Sequence, residues 1–140
     1  MTRRTLVYLT AITGALSMSL LCAQVAPPET TVQKLTPDEM KALAAGDTKY
    51  FFLDVREPKE LEDLGTLPGY VNIPMGELES RLSEVPKDRL VVVACRSGAR
   101  AAKAAAMMEK AGYTQLRLFA MKEYVDKGYE AIHPKVAEKK

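Results

Sequence analysis

Leu90-Val91-Val92-Val93-Ala94, followed at once by Cys95-Arg96-Ser97-Gly98-Ala99-Arg100 and then by Ala101-Ala102-Lys103-Ala104-Ala105-Ala106, is the stretch that decides the fold. An unbroken apolar run of this length reads as a strand buried on both faces, which belongs in the middle of a parallel sheet. The alanine-rich run after the loop predicts a helix from Ala99 to about Ala111, stopped by Gly112. In open sheets with strand-loop-helix units, ligands gather at the carboxyl ends of the strands. Cys95 stands at one such end.

The surrounding chain repeats the alternation. Upstream, Thr36-Pro37-Asp38-Glu39 forms a capping box with proline at the first helical position, predicting a helix to about Ala45 before Gly46. Tyr50 to Val55 reads as a short buried strand ending in Asp54-Val55-Arg56-Glu57-Pro58, and Gly65 to Pro74 as a loop with a short strand around Tyr70-Val71-Asn72-Ile73. Glu77 to Ser83, with Leu78 and Leu82 four apart, predicts a modest helix before Pro86. Downstream, a strand is expected over Tyr113 to Leu118 and a helix over Met121 to Lys127, closed by Gly128. The expected architecture is α/β, with a mainly parallel sheet flanked by helices on both faces and right-handed crossovers.

A cysteine at this place has a chemical consequence. Its thiolate is strongly nucleophilic once its pKa is lowered, and a strand-to-helix turn leaves the backbone N–H groups of residues 96 to 100 free to converge on a thiolate or on a bound anion. Gly98 permits the left-handed backbone that such a cradle needs. Arg96 and Arg100 add positive charge where a helix dipole alone would discourage it, which favours an anion between them. Ser97 and Ala99 complete the loop, so the candidate substrate-binding residues are Arg96, Ser97, Gly98, Ala99 and Arg100 around a catalytic Cys95. Asp54 and Arg56 read as a buried pair that fixes the loop after the early strand rather than as a catalytic acid and an anion binder.

The chain of 140 residues has room for one domain. Its 47% hydrophobic and 27% charged residues are ordinary for a folded protein, and no block of like charge points to nucleic acid or an anionic membrane. Arg3 and Arg4 account for the net charge of +2, since without them basic and acidic residues balance at 18 each. Anion preference must therefore be local. Residues 1–26 read as a signal peptide: Arg3 and Arg4 form the positive region, Leu6 to Leu21 the apolar one, and Ala23 and Ala26 offer alternative cleavage sites. The expected location is the bacterial periplasm. An uncleaved anchor facing the periplasm is the alternative, although the apolar stretch falls short of the ~20 residues a spanning helix needs. Removal of this segment takes Cys22 with it and leaves Cys95 as the lone cysteine, unable to form an intramolecular disulfide. Residues 27–32, with Pro27 and Pro28, read as a linker, 33–133 as the domain and 134–140 as a charged tail.

Over Gln33 to His133 the sequence resembles the rhodanese family. The matching pieces are Asp54-Val55-Arg56-Glu57, Gly65-Thr66-Leu67-Pro68-Gly69 followed by Asn72-Ile73-Pro74, the cysteine loop, and Gly128-Tyr129. The resemblance implies that Cys95 takes a sulfane sulfur from a small anionic donor such as thiosulfate, releases sulfite, and passes the sulfur to cyanide or a thiol, including a protein thiol. It also implies that Arg100 meets the anionic end of the donor while the loop N–H groups stabilise the Cys95 persulfide. Thr66 stands where the family often has histidine, Phe119-Ala120 where it has a glycine pair, and Tyr124 where it has tryptophan, differences expected at the rim of the pocket.

Related loops in phosphatases and arsenate reductases are drawn with five residues between cysteine and arginine. Here there are four, Arg96 to Ala99, which favours a sulfur-sized group on the thiolate. A non-catalytic module that binds a protein or carries persulfide is the alternative of a different class. No metal-ligand spacing, phosphate P-loop or dinucleotide fingerprint competes, so neither a cofactor nor a metal is expected. His133, the single histidine, lies beside Pro134 in a charged segment and does not complete a Cys-His pair.

Overall fold

The computed structural model describes residues 31–135. The expected signal peptide, most of the linker and the end of the tail lie outside them. Four parallel strands form the sheet, in the order β2 (Tyr70–Asn72), β1 (Tyr50–Asp54), β3 (Leu90–Cys95) and β4 (Leu116–Ala120). The continuous apolar run thus occupies an interior strand, with Leu53 and Leu118 both in register with Val93 and Cys95 opposite Ala120. Beyond β4, the segment around Lys34 adds a short parallel bridge, in which Leu35 N–H donates to the Leu118 carbonyl at 2.8 Å.

Alternation along the strands divides the core into two layers, because successive side chains leave opposite faces of a sheet. Val91, Val93 and Cys95 point to the layer covered by α4 (Ala99–Lys110), whose Ala101, Ala104, Ala105 and Met108 recur on one helical face and are fully buried. α3 (Leu78–Arg81) places Leu78 in the same layer. On the other side, Phe52, Val92, Ala94 and Phe119 pack with Met40 of α1 (Pro37–Ala45) and with Met121 and Tyr124 of α5 (Met121–Asp126). An edge-on aromatic chain runs from Phe52 through Phe119 to Tyr124, with ring centroids 6.1 and 5.7 Å apart. Helices therefore lie on both faces, as expected for the α/β class.

Three elements differ from the sequence reading. α2 (Pro58–Leu64) was not anticipated: Pro58 opens it, and the Glu57 N–H donates to the Glu60 carboxylate at 3.1 Å in a capping box that uses glutamate instead of serine or threonine. β4 begins at Leu116 rather than Tyr113. The Tyr113 ring is buried, its hydroxyl shares its one proton between the carbonyls of Leu82 and Val85 at 2.7 and 2.9 Å, and its N–H closes the end of α4 on the Met108 carbonyl, so this residue is spent on a turn. The helix expected over Glu77 to Ser83 is split into α3 and a single 3-10 turn at Leu82–Glu84.

Candidate active site

β3 ends at Cys95 and α4 starts at Ala99, so Arg96, Ser97 and Gly98 make the whole turn. Gly98 is the N-cap of α4 with φ +103, a left-handed conformation in which any side chain is strained. That conformation aims the Gly98 N–H back at Cys95 Sγ, 2.9 Å away, while the Gly98 carbonyl accepts the first helical bond from Ala102 N–H at 2.9 Å. The Arg96 carbonyl accepts from Lys122 N–H at 3.0 Å, which ties the turn to the start of α5. Cys95 is 1% exposed and sits among apolar neighbours, with its sulfur at the mouth of the α4 N-terminus. Such a position aims one oriented N–H group and the positive end of the helix dipole at the sulfur.

The two loop arginines have separate surroundings. Arg96 is exposed, and its guanidinium makes no ion pair or hydrogen bond with any described residue. Arg100, the residue expected to meet the donor's anionic end, is half-buried and has both terminal nitrogens on Glu60, each at 2.6 Å. This pair holds the Glu60 carboxyl below its ordinary range and pushes the Arg100 guanidinium above its own, with smaller help from the Cys95 and Asp54 charges. Ser97 and Ala99 are exposed beside the turn.

Behind the loop lies a closed polar network. Asp54 and Arg56 are fully buried. Arg56 Nε and Nη2 donate to the two Asp54 oxygens at 2.9 and 2.6 Å, and Nη2 also donates to the Gly65 carbonyl at 2.8 Å. Thr66 Oγ1 donates to Asp54 at 2.9 Å, and Asn72 Nδ2 reaches the carbonyls of Asp54 and Arg56 at 2.9 and 2.8 Å. The network fixes the chain from β1 into α2 and so sets where Glu60 stands. A hollow of about 160 Å³ beside the loop is lined by Arg56, Glu60, Asp63, Leu64 and Arg96.

Glu60 is the residue that sequence reasoning missed. The signal is present in Glu57-Pro58-Lys59-Glu60, a proline-led helix start with a carboxylate at its third position, but the strand reading stops at Pro58 and assigns nothing to Lys59 or Glu60. A second correction concerns Thr66, Phe119, Ala120 and Tyr124, expected at the pocket rim. All four are buried, Thr66 in the Asp54 network and Phe119 and Tyr124 in the aromatic chain, so they shape the core rather than the entrance. His133 is exposed, with Nδ1 2.9 Å from the Glu62 carbonyl. No group of side chains among the described residues has the makings of a metal site.

Comparison with known proteins agrees with this geometry. A sulfurtransferase of Allochromatium vinosum is 35% identical over 82 residues, covering 59% of this chain and 76% of its own. The human thiosulfate:glutathione sulfurtransferase is 35% identical over 107 residues, covering 65% of this chain and 90% of its own. Among solved structures, the single-domain sulfurtransferase RDL2 of Saccharomyces cerevisiae superposes with a TM-score of 0.61 at 25% identity, covering 71% of this chain and 94% of that one. The model of the rhodanese-like domain matches residues 36–133, and with Cys95 at the mouth of α4 the chain belongs to the rhodanese-like family.

Proposed function

We propose that the protein moves a sulfane sulfur from thiosulfate or a related anionic donor to a thiol or cyanide through a persulfide on Cys95. One observation carries this reading above the others: the Gly98 N–H is directed at Cys95 Sγ from 2.9 Å at the start of a helix, an arrangement suited to a sulfur anion. In the first step the Cys95 thiolate attacks the outer sulfur of thiosulfate. The bond between the two thiosulfate sulfurs breaks, and sulfite leaves with the electron pair. The persulfide terminal sulfur then carries the negative charge, next to the first N–H groups of α4, which have no carbonyl one turn before them. In the second step an acceptor thiolate attacks that terminal sulfur, the Cys95–sulfur bond breaks, and the Cys95 thiolate is restored.

With Arg100 engaged by Glu60, the free charge nearest the turn is Arg96, and the reading assigns it to the donor's sulfonate. Arg100 then serves to hold α2 and α4 together at the loop. The same proposal takes residues 1–26 as an export signal, so that the site works outside the cytoplasm with a single thiol.

The direct test is mass spectrometry of the protein after treatment with thiosulfate, followed by peptide mapping. The gain of one sulfur atom on the peptide containing Cys95 is expected, together with its loss on addition of cyanide or a thiol. Loading without release to any small acceptor would instead identify a persulfide carrier, and no gain at all would refute the reading. For Arg96→Ala, the apparent KM for thiosulfate should rise about tenfold while kcat changes less, because one exposed charge-assisted contact is lost from the bound donor. Raising the salt concentration should weaken donor binding more in the parent than in the variant. Steady-state rates at two ionic strengths check both, and an unchanged KM would assign the sulfonate to the backbone alone.

A further inference from the structure

Arginine recognises tetrahedral oxyanions by presenting paired N–H groups to two oxygens at once. Arg100 stands on the first turn of α4, where such a grip would act together with the N–H groups of the Cys95 turn. In this protein the grip is already taken, because both terminal nitrogens of Arg100 donate to the two oxygens of Glu60 at 2.6 Å. Glu60 is itself held from several sides. Its carboxylate accepts the Glu57 N–H at 3.1 Å, its carbonyl lies 3.5 Å from Arg56 Nη1, and the adjacent Leu61 anchors α2 with 2% exposure.

The neighbouring hollow shows what this does to charge. Of its lining residues, Arg56 is committed to Asp54, Glu60 and Asp63 bring carboxylates, and Arg96 brings a cation that has no partner among the described residues. The Glu60 and Asp63 carboxylates are paired with Arg100 and Lys59, so Arg96 is the free charge that this edge of the loop offers to the oxygens of an anion. Thiosulfate has a sulfur end and an oxygen end, and can turn its sulfur inward while its oxygens stay near Arg96. Phosphate, arsenate and sulfate have oxygen on every side and need a second paired grip, which Arg100 on Glu60 does not offer.

We propose that Glu60 is a specificity-determining residue, which by occupying Arg100 denies the Cys95 loop a grip on tetrahedral oxyanions and reserves it for the outer sulfur of the donor. This deepens the sulfurtransferase reading and rests on it. It also gives a charge-based reason, beyond loop length, for the loop to disfavour phosphoryl and arsenate chemistry.

The test is a titration of the isotope-labelled protein with inorganic phosphate at neutral pH and matched ionic strength, following the backbone N–H signals of Arg96 to Ala99 by NMR. It needs no turnover, so it is independent of the persulfide assay: failure to load sulfur would sink the sulfurtransferase reading, whereas this experiment addresses only the Glu60–Arg100 device. The parent should show no saturable shift at millimolar phosphate. Glu60→Gln, which keeps the side-chain shape but releases the charge of Arg100, should bind phosphate at the loop at least about tenfold more tightly. The double variant Glu60→Gln/Arg100→Gln should return to parent behaviour. Saturable binding to the parent, equal affinity in Glu60→Gln, or a gain retained in the double variant would each overturn the proposal. Should Glu60→Gln lose its dispersed spectrum, the parent titration decides: saturable millimolar binding refutes the proposal, and its absence upholds it.

Discussion

Cys95→Ser is expected to lower thiosulfate:cyanide turnover by at least about a thousandfold and to end the gain of sulfur on treatment with thiosulfate. The physical difference between the residues is one of acidity, not of shape. A serine hydroxyl stays protonated at neutral pH and is a poor nucleophile toward sulfur, whereas a thiol is far more acidic than a hydroxyl and its anion attacks sulfur readily. The fold should hardly notice the change. Cys95 is 1% exposed, and its one polar contact, the N–H of Gly98, can be accepted by a hydroxyl oxygen as well as by a sulfur. A stability change of about 1 kcal/mol or less is expected, so a thermal melt close to the parent's combined with lost turnover separates chemistry from folding. Turnover within tenfold of the parent would mean that sulfur moves through a different group.

How far the site is legible in the sequence depends on whether a feature is local. The β3-turn-α4 unit is plain because each part carries its own signal: unbroken apolar residues for an interior strand, a glycine for the left-handed residue, alanines for a helix packed closely on a sheet. Its residues lie side by side in the chain, so the geometry of Cys95 and Gly98 follows from spacing. The partner of Arg100 is another matter. Glu60 is 40 positions away, and although its place at the third position of a proline-led helix is local, nothing local shows that it, rather than Glu57 or Glu62, meets Arg100. Only the parallel pairing of β1 with β3, Asp54 opposite Ala94, brings α2 beside the cysteine turn. The late start of β4 is hidden for a similar reason, since the hydrogen bonds that claim Tyr113 come from the turn after α3, 28 and 31 residues earlier. Thr66 and Phe119 are expected at the rim because this chain departs from the family pattern there, yet the fold buries both. Sequence patterns thus report the strands and most of the helices, while the short α2 and the ion pair that it brings to the site are tertiary facts.

The second large effect concerns the support rather than the sulfur. Asp54→Asn should destabilise the protein by about 3 to 5 kcal/mol, because it removes one partner of a fully buried ion pair and leaves the Arg56 guanidinium without a counter-charge. Against a total stability on the order of 5 to 15 kcal/mol, such a loss brings the domain near its folding threshold. Arg56→Met should cost a similar amount by stranding the Asp54 carboxylate, which would keep only Thr66 and the Arg56-position N–H as donors. Changing both residues together should cost less than the two single losses added, since no unpaired charge is then left inside. Urea unfolding of the four proteins measures these values, and a loss below about 1 kcal/mol for Asp54→Asn would show that hydrogen bonds, not the charge pair, hold this region. The double variant also connects fold to function. Arg56 reaches the carbonyls of Glu60 and Gly65 at either end of α2, so a folded double variant lacks the brace that positions Glu60 against Arg100. Its sulfur transfer should therefore stay impaired even where stability is recovered, and the deficit should appear mainly in the KM for the donor, since Cys95 and the Gly98 N–H are attached to β3 and α4 rather than to α2.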